Sequence, residues 1–339
     1  MIDKRLTEEN LPYFLDAIAN FKKTKTLVIG DVMLDEYLWG DVERISQEAP
    51  VPVVKVNKKT HRLGGASNVA NNINTIGGQV LTCGVIGDDV NGSILLETMA
   101  NKGISTECIL TVKGRITTKK TRIIARNQQV VRCDEEDLEF LENDDFKRYW
   151  KIIENSIDSV DAILIEDYGK GIVTPELLST ILPLALEKNK IISIDPKVEH
   201  VKLYNGVSVI TPNHHELSTA LGVKLKSFDQ IKEAGLKLLK DLNCKTVLVT
   251  CGEKGMLLIE DDKISHIETV AEEVYDVTGA GDTVIAVMTM GLASNLPPID
   301  AAIISNQAAG LVIKEVGAAT VTSEQLQKAL IKNMKTHNS

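Results

Sequence analysis

Asp276-Val277-Thr278-Gly279-Ala280-Gly281-Asp282 sets two glycines around an alanine, directly before an aspartate and the small, apolar run Thr283–Met290. Such a turn lets the backbone approach an anion closely, and a helix starting there aims free N–H groups and its positive dipole end at that anion. Asp282 then falls in the first turn. A carboxylate in that position can take a proton from an attacking hydroxyl while the amides hold the charge on the transferred group. The chemistry this predicts is phosphoryl transfer to an alcohol. A plain glycine-rich turn with Asp282 as an ordinary first-turn acid fits the heptapeptide as well, so the rest of the chain has to decide.

Four more polar clusters follow apolar segments in the carboxyl half. They are Glu166-Asp-Tyr-Gly-Lys-Gly171, Asp195-Pro196-Lys197, Thr211-Pro-Asn-His-His-Glu216 and Thr250-Cys-Gly-Glu-Lys-Gly255. Carboxylates at 195 and 216 suit Mg2+ held through water, and Lys170 and Lys197 bring mobile positive charge suited to phosphates. Near the other end, Asp35 and Asn68 can exchange hydrogen bonds with sugar hydroxyls. Seven basic residues and no acid lie between Cys108 and Cys133. Among them Arg122 or Arg126 could read a phosphate on the substrate, or the run could simply be a solvated strand face. The chain contains no G-x-x-x-x-G-K-[ST] motif and no G-x-G-x-x-G after its first strand, which removes P-loop and dinucleotide chemistry. His214 and His215 are adjacent and expected to point apart, and the six histidines show no zinc spacing.

The elements that must position these groups are legible as patterns. Residues 6–22 carry Leu11, Phe14, Leu15, Ile18 and Phe21 at helical spacing, and residues 26–30 read as a buried strand. Short apolar strands at 162–165, 191–194, 207–210 and 246–249 alternate with helices predicted at 175–188, 228–242 and 283–293. That alternation predicts an α/β fold with a doubly wound, mostly parallel sheet, its ligands at the carboxyl ends of the strands. Residues 36–62 and 109–132 instead carry scattered β-formers, broken by Pro50 and Pro52 in the first block and by Gly114 in the second. They are expected to join in space as one small accessory β layer.

Composition sets the class. At 339 residues with 43% apolar and 25% charged residues, the chain reads as an ordinary enzyme body, expected as one domain over 1–339. A net charge of −9 argues against nucleic acid as a partner. Five cysteines without a C-x-x-C pair fit a reducing cytosol, and no run of 18 apolar residues suggests a membrane span, so a cytoplasmic protein is expected.

The residues taken together resemble the ribokinase-like (PfkB) carbohydrate kinases. Gly64-Gly65-Ala66-Ser67-Asn68 matches the amino-terminal signature of that family and Asp276–Asp282 the carboxyl-terminal one, over roughly residues 24–325. Within the family, Gly30–Gly40, Arg44–Val53, Thr121–Gln129 and Glu166–Gly171 are similar to D-glycero-β-D-manno-heptose 7-phosphate kinases. Met33 departs from ribokinase itself, which has a sugar-binding Asn there.

The resemblance implies an αβα sandwich with a β lid formed by about 36–62 and 109–132, often exchanged in a homodimer. It implies ATP as donor, Mg2+ as helper and K+ in many relatives. It casts Asp282 as the base, with Gly279, Ala280 and Gly281 as the anion hole. Asn213 and Glu216, with His214 and His215 between them, match an N-x-x-E motif linked to Mg–ATP. Thr250, Gly252 and Gly255 match the nucleotide phosphate loop, and Asn306 a residue beside adenine. Asp35, Asn68, Gly64 and Gly65 match the sugar side, while Arg44, Arg126, Lys170 and Lys197 are candidates for phosphate contacts. Asp276 and carbonyls around 311–317 are candidates for K+.

The expected activity is phosphorylation of the anomeric hydroxyl of heptose 7-phosphate, a step of ADP-heptose (lipopolysaccharide core) synthesis. The alternatives left open are a related kinase for another sugar and a non-catalytic sugar or nucleotide sensor. The chain ends at Ser339, and a fused nucleotidyltransferase is not expected.

Overall fold

Strands buried on both faces organise the chain. In the computed structural model, which describes residues 6–126, 128–270, 275–315 and 317–337, strand residues alternate between two apolar cores. Val28 and Leu164 join one core, whereas Leu27, Ile29, Ile163 and Ile165 join the other. A period of two with apolar residues at every position forces helices onto both sides of the sheet.

The strands are β1 (Lys25–Gly30), β2 (Val32–Ile45), β3 (Pro52–Gly65), β4 (Gln79–Gly87), β5 (Ile109–Val112), β6 (Lys119–Ala125), β7 (Gln128–Glu135), β8 (Ala162–Glu166), β9 (Ile191–Asp195), β10 (Val209–Ile210), β11 (Val247–Thr250), β12 (Met256–Ile259) and β13 (Ile264–Ile267). Among the described residues nine form one sheet in the order β13-β12-β11-β10-β9-β8-β1-β4-β5, parallel except that β12 runs antiparallel to both β11 and β13. Helices α1 (Leu11–Asn20), α2 (Ala66–Ile76), α3 (Val90–Asn101), α8 (Ala280–Ala293), α9 (Pro298–Val312) and α10 (Ser323–His337) supply the first core. Helices α4 (Asn143–Ile157), α5 (Pro175–Glu187), α6 (His214–Leu221) and α7 (Phe228–Asp241) supply the second. The result is the expected αβα sandwich.

The remaining strands form a small sheet in the order β3-β2-β6-β7. Pro52 opens β3, an edge strand, where a missing N–H costs no ladder bond. One expectation fails here: Ile109–Val112 belongs to the large sheet, paired in parallel with β4, and not to the accessory layer. Leu110 and Val112 bury into the core beneath α4, and that burial outweighs the likeness of their composition to the block that follows. The antiparallel edge β12–β13 was not foreseen. The first helix begins at Leu11 rather than residue 6, and the third predicted strand shortens to Val209–Ile210.

Candidate active site

Parallel register brings the acids together. Glu166 ends β8, paired with Gly30 of β1 on one side and with Asp195, the last residue of β9, on the other. The carboxyl ends of three central strands therefore place Asp31, Glu166 and Asp195 along one edge of the sheet. Helix α8 points its first turn at that edge, and ligand oxygens of Glu166, Asp195 and Asp282 all lie within 4.8 Å of one another.

Gly279 caps α8 in the left-handed region, φ 78°, and a Cβ there would come within 2.9 Å of Asn68 Nδ2. Only glycine meets both demands. The Ala280 N–H donates to the Val277 carbonyl at 3.2 Å, so that amide is already engaged. The amides of Gly281 and Asp282 remain as the helix's open donors by position. A Cβ on Gly281 would meet only Asp195, at 3.9 Å, so a cleft lies between helix and sheet edge.

Asp282 is buried, 5% exposed, and Asn68 Nδ2 donates to its Oδ2 at 2.5 Å while the Tyr168 hydroxyl donates to its Oδ1 at 3.2 Å. Burial raises its pKa, the two donors pull it back, and Asp35 pushes it up again. Glu166 is fully buried, and the side chain its carboxyl group meets is the Asp195 carboxyl beside it, not a Lys, Arg or amide donor. Burial first, and then Asp195 and Asp282, drive its pKa well up. Asp195 keeps part of its surface open to the cleft, and burial and Glu216 raise its pKa well above the usual range. Asp31, also buried, accepts from the N–H groups of Tyr168, Lys170 and Ile172 at 3.0, 3.0 and 3.4 Å, stapling the loop that presents Tyr168. Its burial outweighs those bonds and lifts its pKa to about 6.

The small sheet covers the cleft from the other side. Asp35 of β2 is buried and paired with Arg122 Nη1 of β6 at 2.6 Å. A Cβ on Gly64 would lie 3.1 Å from the Asp35 carboxylate, and one on Gly65, where φ is 53°, would lie 2.4 Å from the Asp31 carbonyl, so the glycine pair lets this strand end close in. Lys120, opposite Asp35 in register, sets its ammonium 4.9 Å from the centre of the Tyr168 ring. Arg44 and Arg126 stand apart from this group. Both are exposed at the far end of the small sheet, Arg126 donating to the Val42 carbonyl at 3.0 Å. Four residues of strand, about 13 Å, separate Arg126 from the position Arg122 occupies. Lys170 is tied to Glu136 at 2.6 Å, and Lys197 stands 3.7 Å from Glu199 with its stem against Gly169.

On the other flank Asn213 and Glu216 form a reciprocal capping box on α6. Asn213 Oδ1 accepts the His215 and Glu216 N–H groups at 2.9 Å, and Glu216 Oε2 accepts the Asn213 N–H at 2.8 Å. The N-x-x-E spacing thus has a structural use, and it leaves Glu216 close enough to Asp195 to raise its pKa. The rings of His214 and His215 do not point apart: their centres lie 3.9 Å from each other. Thr250 bridges to Asn213, and Gly252 and Gly255 shape the turn after β11. Asn306 on α9 donates to the Glu268 carbonyl at 2.8 Å. Asp276 accepts from Thr278 N–H at 2.9 Å and Gly317 N–H at 2.7 Å, which join two loops beside α8. Of the carbonyls expected around 311–317, residue 316 lies outside the described residues, and the Ile313 carbonyl already accepts from Tyr275 and Asp276.

The pattern called pfkB family carbohydrate kinase matches residues 23–325, which include every element of this cleft. The chain belongs to the pfkB family of carbohydrate kinases. It is an ATP-dependent sugar kinase. Bifunctional protein HldE of Helicobacter pylori is 43% identical over 313 residues, covering 92% of this chain and 67% of that protein. Bifunctional protein HldE of Geobacter sulfurreducens is 41% identical over 305 residues, covering 90% and 62%. The chain thus spans about two thirds of the length of these curated relatives. In fold it is similar to phosphofructokinase-2 from Escherichia coli in complex with potassium (TM-score 0.77, 18% identity, 91% of this chain and 99% of that one). It is also similar to Arabidopsis thaliana ribokinase complexed with ribose and ATP (TM-score 0.71, 18% identity, 91% and 98%).

Three of the convergent residues, Tyr168, Glu166 and Lys120, were not singled out for a role by the sequence alone. Their one signal was position: two in the loop after a strand, one in the basic run. No helix among the described residues is long and apolar enough to cross a membrane.

Proposed function

We propose that this kinase transfers the γ-phosphoryl group of ATP to the anomeric C1 hydroxyl of D-glycero-β-D-manno-heptose 7-phosphate, giving the 1,7-bisphosphate. The observation that carries the chemistry is Asp282: a buried carboxylate in the first turn of α8, oriented by Asn68 and Tyr168. Ionised, it accepts the hydroxyl proton as the O–P bond forms and the ADP–phosphoryl bond breaks. The open amides of α8 receive the charge of the transferred group. Asp35 and Asn68 orient the sugar, and Arg122 and Lys120 supply positive charge on the acceptor side. Asn306, Thr250, Gly252 and Gly255 fall to the nucleotide side, with Lys197 reaching toward its phosphates.

The choice of a heptose rests on the stretches Gly30–Gly40, Arg44–Val53, Thr121–Gln129 and Glu166–Gly171, and the chain-long likeness to the HldE proteins accords with it. Divalent metal fits this chemistry, since Asp195 and Glu216 offer only hard oxygen donors at the cleft and Mg2+ keeps much of its water. When bound, Mg2+ offsets charge on the nucleotide phosphates. Asp276 and the neighbouring loop are the place for K+.

The small sheet acts as a lid, and a homodimer through it has support in its surface. Ile45, Val51, Val56, Val130 and Val131 are all exposed on β2, β3, β7 and the turn between β2 and β3. The test is ADP release from Mg–ATP with heptose 7-phosphate, fructose 6-phosphate, fructose 1-phosphate and ribose in parallel. Turnover confined to heptose 7-phosphate is expected. Turnover only with another sugar removes the heptose assignment and keeps the mechanism, and no turnover at all would raise the sensor reading.

A further inference from the structure

Asp167 is a buried carboxylate that the chemistry above does not use. It directly follows β8, its side chain is fully enclosed, and three donors converge on it. The Gly169 N–H reaches Oδ1 at 2.9 Å, while the Tyr204 hydroxyl and His200 Nδ1 both reach Oδ2 at 2.7 Å. Burial and the Asp167 charge push the Tyr204 hydroxyl pKa well up, so Tyr204 is the donor of its pair. Such an enclosed charge persists only where its hydrogen bonds offset the lost hydration. Each of the three donors leads to Lys197. Tyr204 Oη accepts the Lys197 N–H at 3.2 Å, and the His200 N–H donates to the Lys197 carbonyl at 3.0 Å. Gly169, in the left-handed region at φ 66°, lies close under the Lys197 stem, where a Cβ would come within 3.0 Å of Cε.

We infer that Asp167 is a positioning residue for phosphoryl transfer: through Tyr204, His200 and Gly169 it fixes the backbone and stem of Lys197, and so aims that ammonium at the nucleotide phosphates. A lysine is a point charge on a flexible stem, and ordering it before the phosphates arrive lowers the entropic cost of binding them. The direction is set as well. Lys197 follows β9, whose last residue, Asp195, borders the cleft. Burial raises the Glu216 pKa, and the Lys197 charge opposes that rise, so the ammonium lies toward the first turn of α6. Its contact with Glu199, at 3.7 Å and open to solvent, is weak enough to give way to a phosphate. The inference rests on the proposed placement of Lys197 on the nucleotide side, not on the identity of the sugar.

The experiment is calorimetric titration of a non-hydrolysable ATP analogue with Mg2+ into wild type, Asp167→Asn, Lys197→Ala and the double variant, beside thermal unfolding of each. Asparagine fills the same space but turns one acceptor into an NH2, so either Gly169 or the Tyr204–His200 pair loses its acceptor. Asp167→Asn is expected to bind the analogue about tenfold more weakly, the worth of a hydrogen bond to a charged group, as is Lys197→Ala. In the Lys197→Ala background the same substitution should change affinity by less than about twofold, because the group it positions has gone. A role in the fold alone would lower Tm and leave affinity unchanged, or add its full effect in both backgrounds; either result overturns the inference. If Asp167→Asn does not fold, Tyr204→Phe, which releases the Lys197 N–H, makes the same test. A loss of about threefold is then expected, and again none without the Lys197 side chain. Should Lys197→Ala itself bind like wild type, the placement of Lys197 fails and the inference fails with it. A weakened Lys197→Ala beside an unaffected Asp167→Asn overturns the inference alone.

Discussion

Replacing Asp282 by Asn removes the proposed base with almost no change of shape. The local geometry tells why the fold should survive. Asp282 accepts from Asn68 Nδ2 at 2.5 Å and from the Tyr168 hydroxyl at 3.2 Å. An Asn at 282 can keep its oxygen toward Tyr168 and turn its NH2 toward Asn68. Asn68 Oδ1 has no partner, so a flip of that amide presents an acceptor to the new donor. One buried charge beside Glu166 is lost, and burial was already working against it. Stability should hold or rise slightly. The loss falls on turnover: a positioned general base is worth about 100- to 10,000-fold, or about 2.7 to 5.4 kcal/mol of barrier. The assay is coupled ADP release at saturating sugar phosphate and Mg–ATP, alongside thermal unfolding of the same preparation. A kcat within tenfold of wild type at unchanged Tm would refute the base assignment. A collapse of Tm would refute the flipped-amide account.

Tyr168→Phe removes a donor that favours the ionised form of Asp282, so the carboxyl pKa rises further. Because the ionised form is the active one, activity is lost as pH falls. The acid limb of kcat should therefore move up, by about one pH unit for a charge-assisted bond near the weak end of its range. A limb that stays put or moves down refutes this. Arg122→Ala leaves the buried Asp35 without its partner, which should cost about 3 to 5 kcal/mol in denaturant unfolding and raise KM for the sugar. A fully stable variant would refute the structural weight given to this ion pair. Gly279→Ala forces a Cβ into 2.9 Å contact with Asn68 Nδ2 at φ 78°. Turnover should drop at least tenfold, with a stability loss of about 1 to 2 kcal/mol. Unchanged kcat would detach this cap from the chemistry.

What the sequence by itself determined is local. The glycine pair before Asp282 specified a helix start with an acid in its first turn, because only a few residue types tolerate that backbone and leave the amides open. Asn213 and Glu216 specified a capped helix for the same reason, since a capping box is written within four residues. Alternating apolar strands and helices specified the sandwich, because both faces of a parallel sheet must be covered.

Only the tertiary structure decided which side chains meet. Asn68 and Asp282 are 214 residues apart, and no periodicity links them. Glu166 and Asp195 became neighbours through the register of β8 on β9. Arg122 stands beside Asp35 where Arg126 cannot, because the register of β6 on β2 sets residue 122 opposite Tyr37 and carries residue 126 past Gly40. The strand at 109–112 left the accessory layer because burial under α4, a long-range property, outweighed local composition. Local backbone chemistry is fixed by neighbours along the chain, whereas a cluster of charges is fixed by strand register, which only the closed core selects.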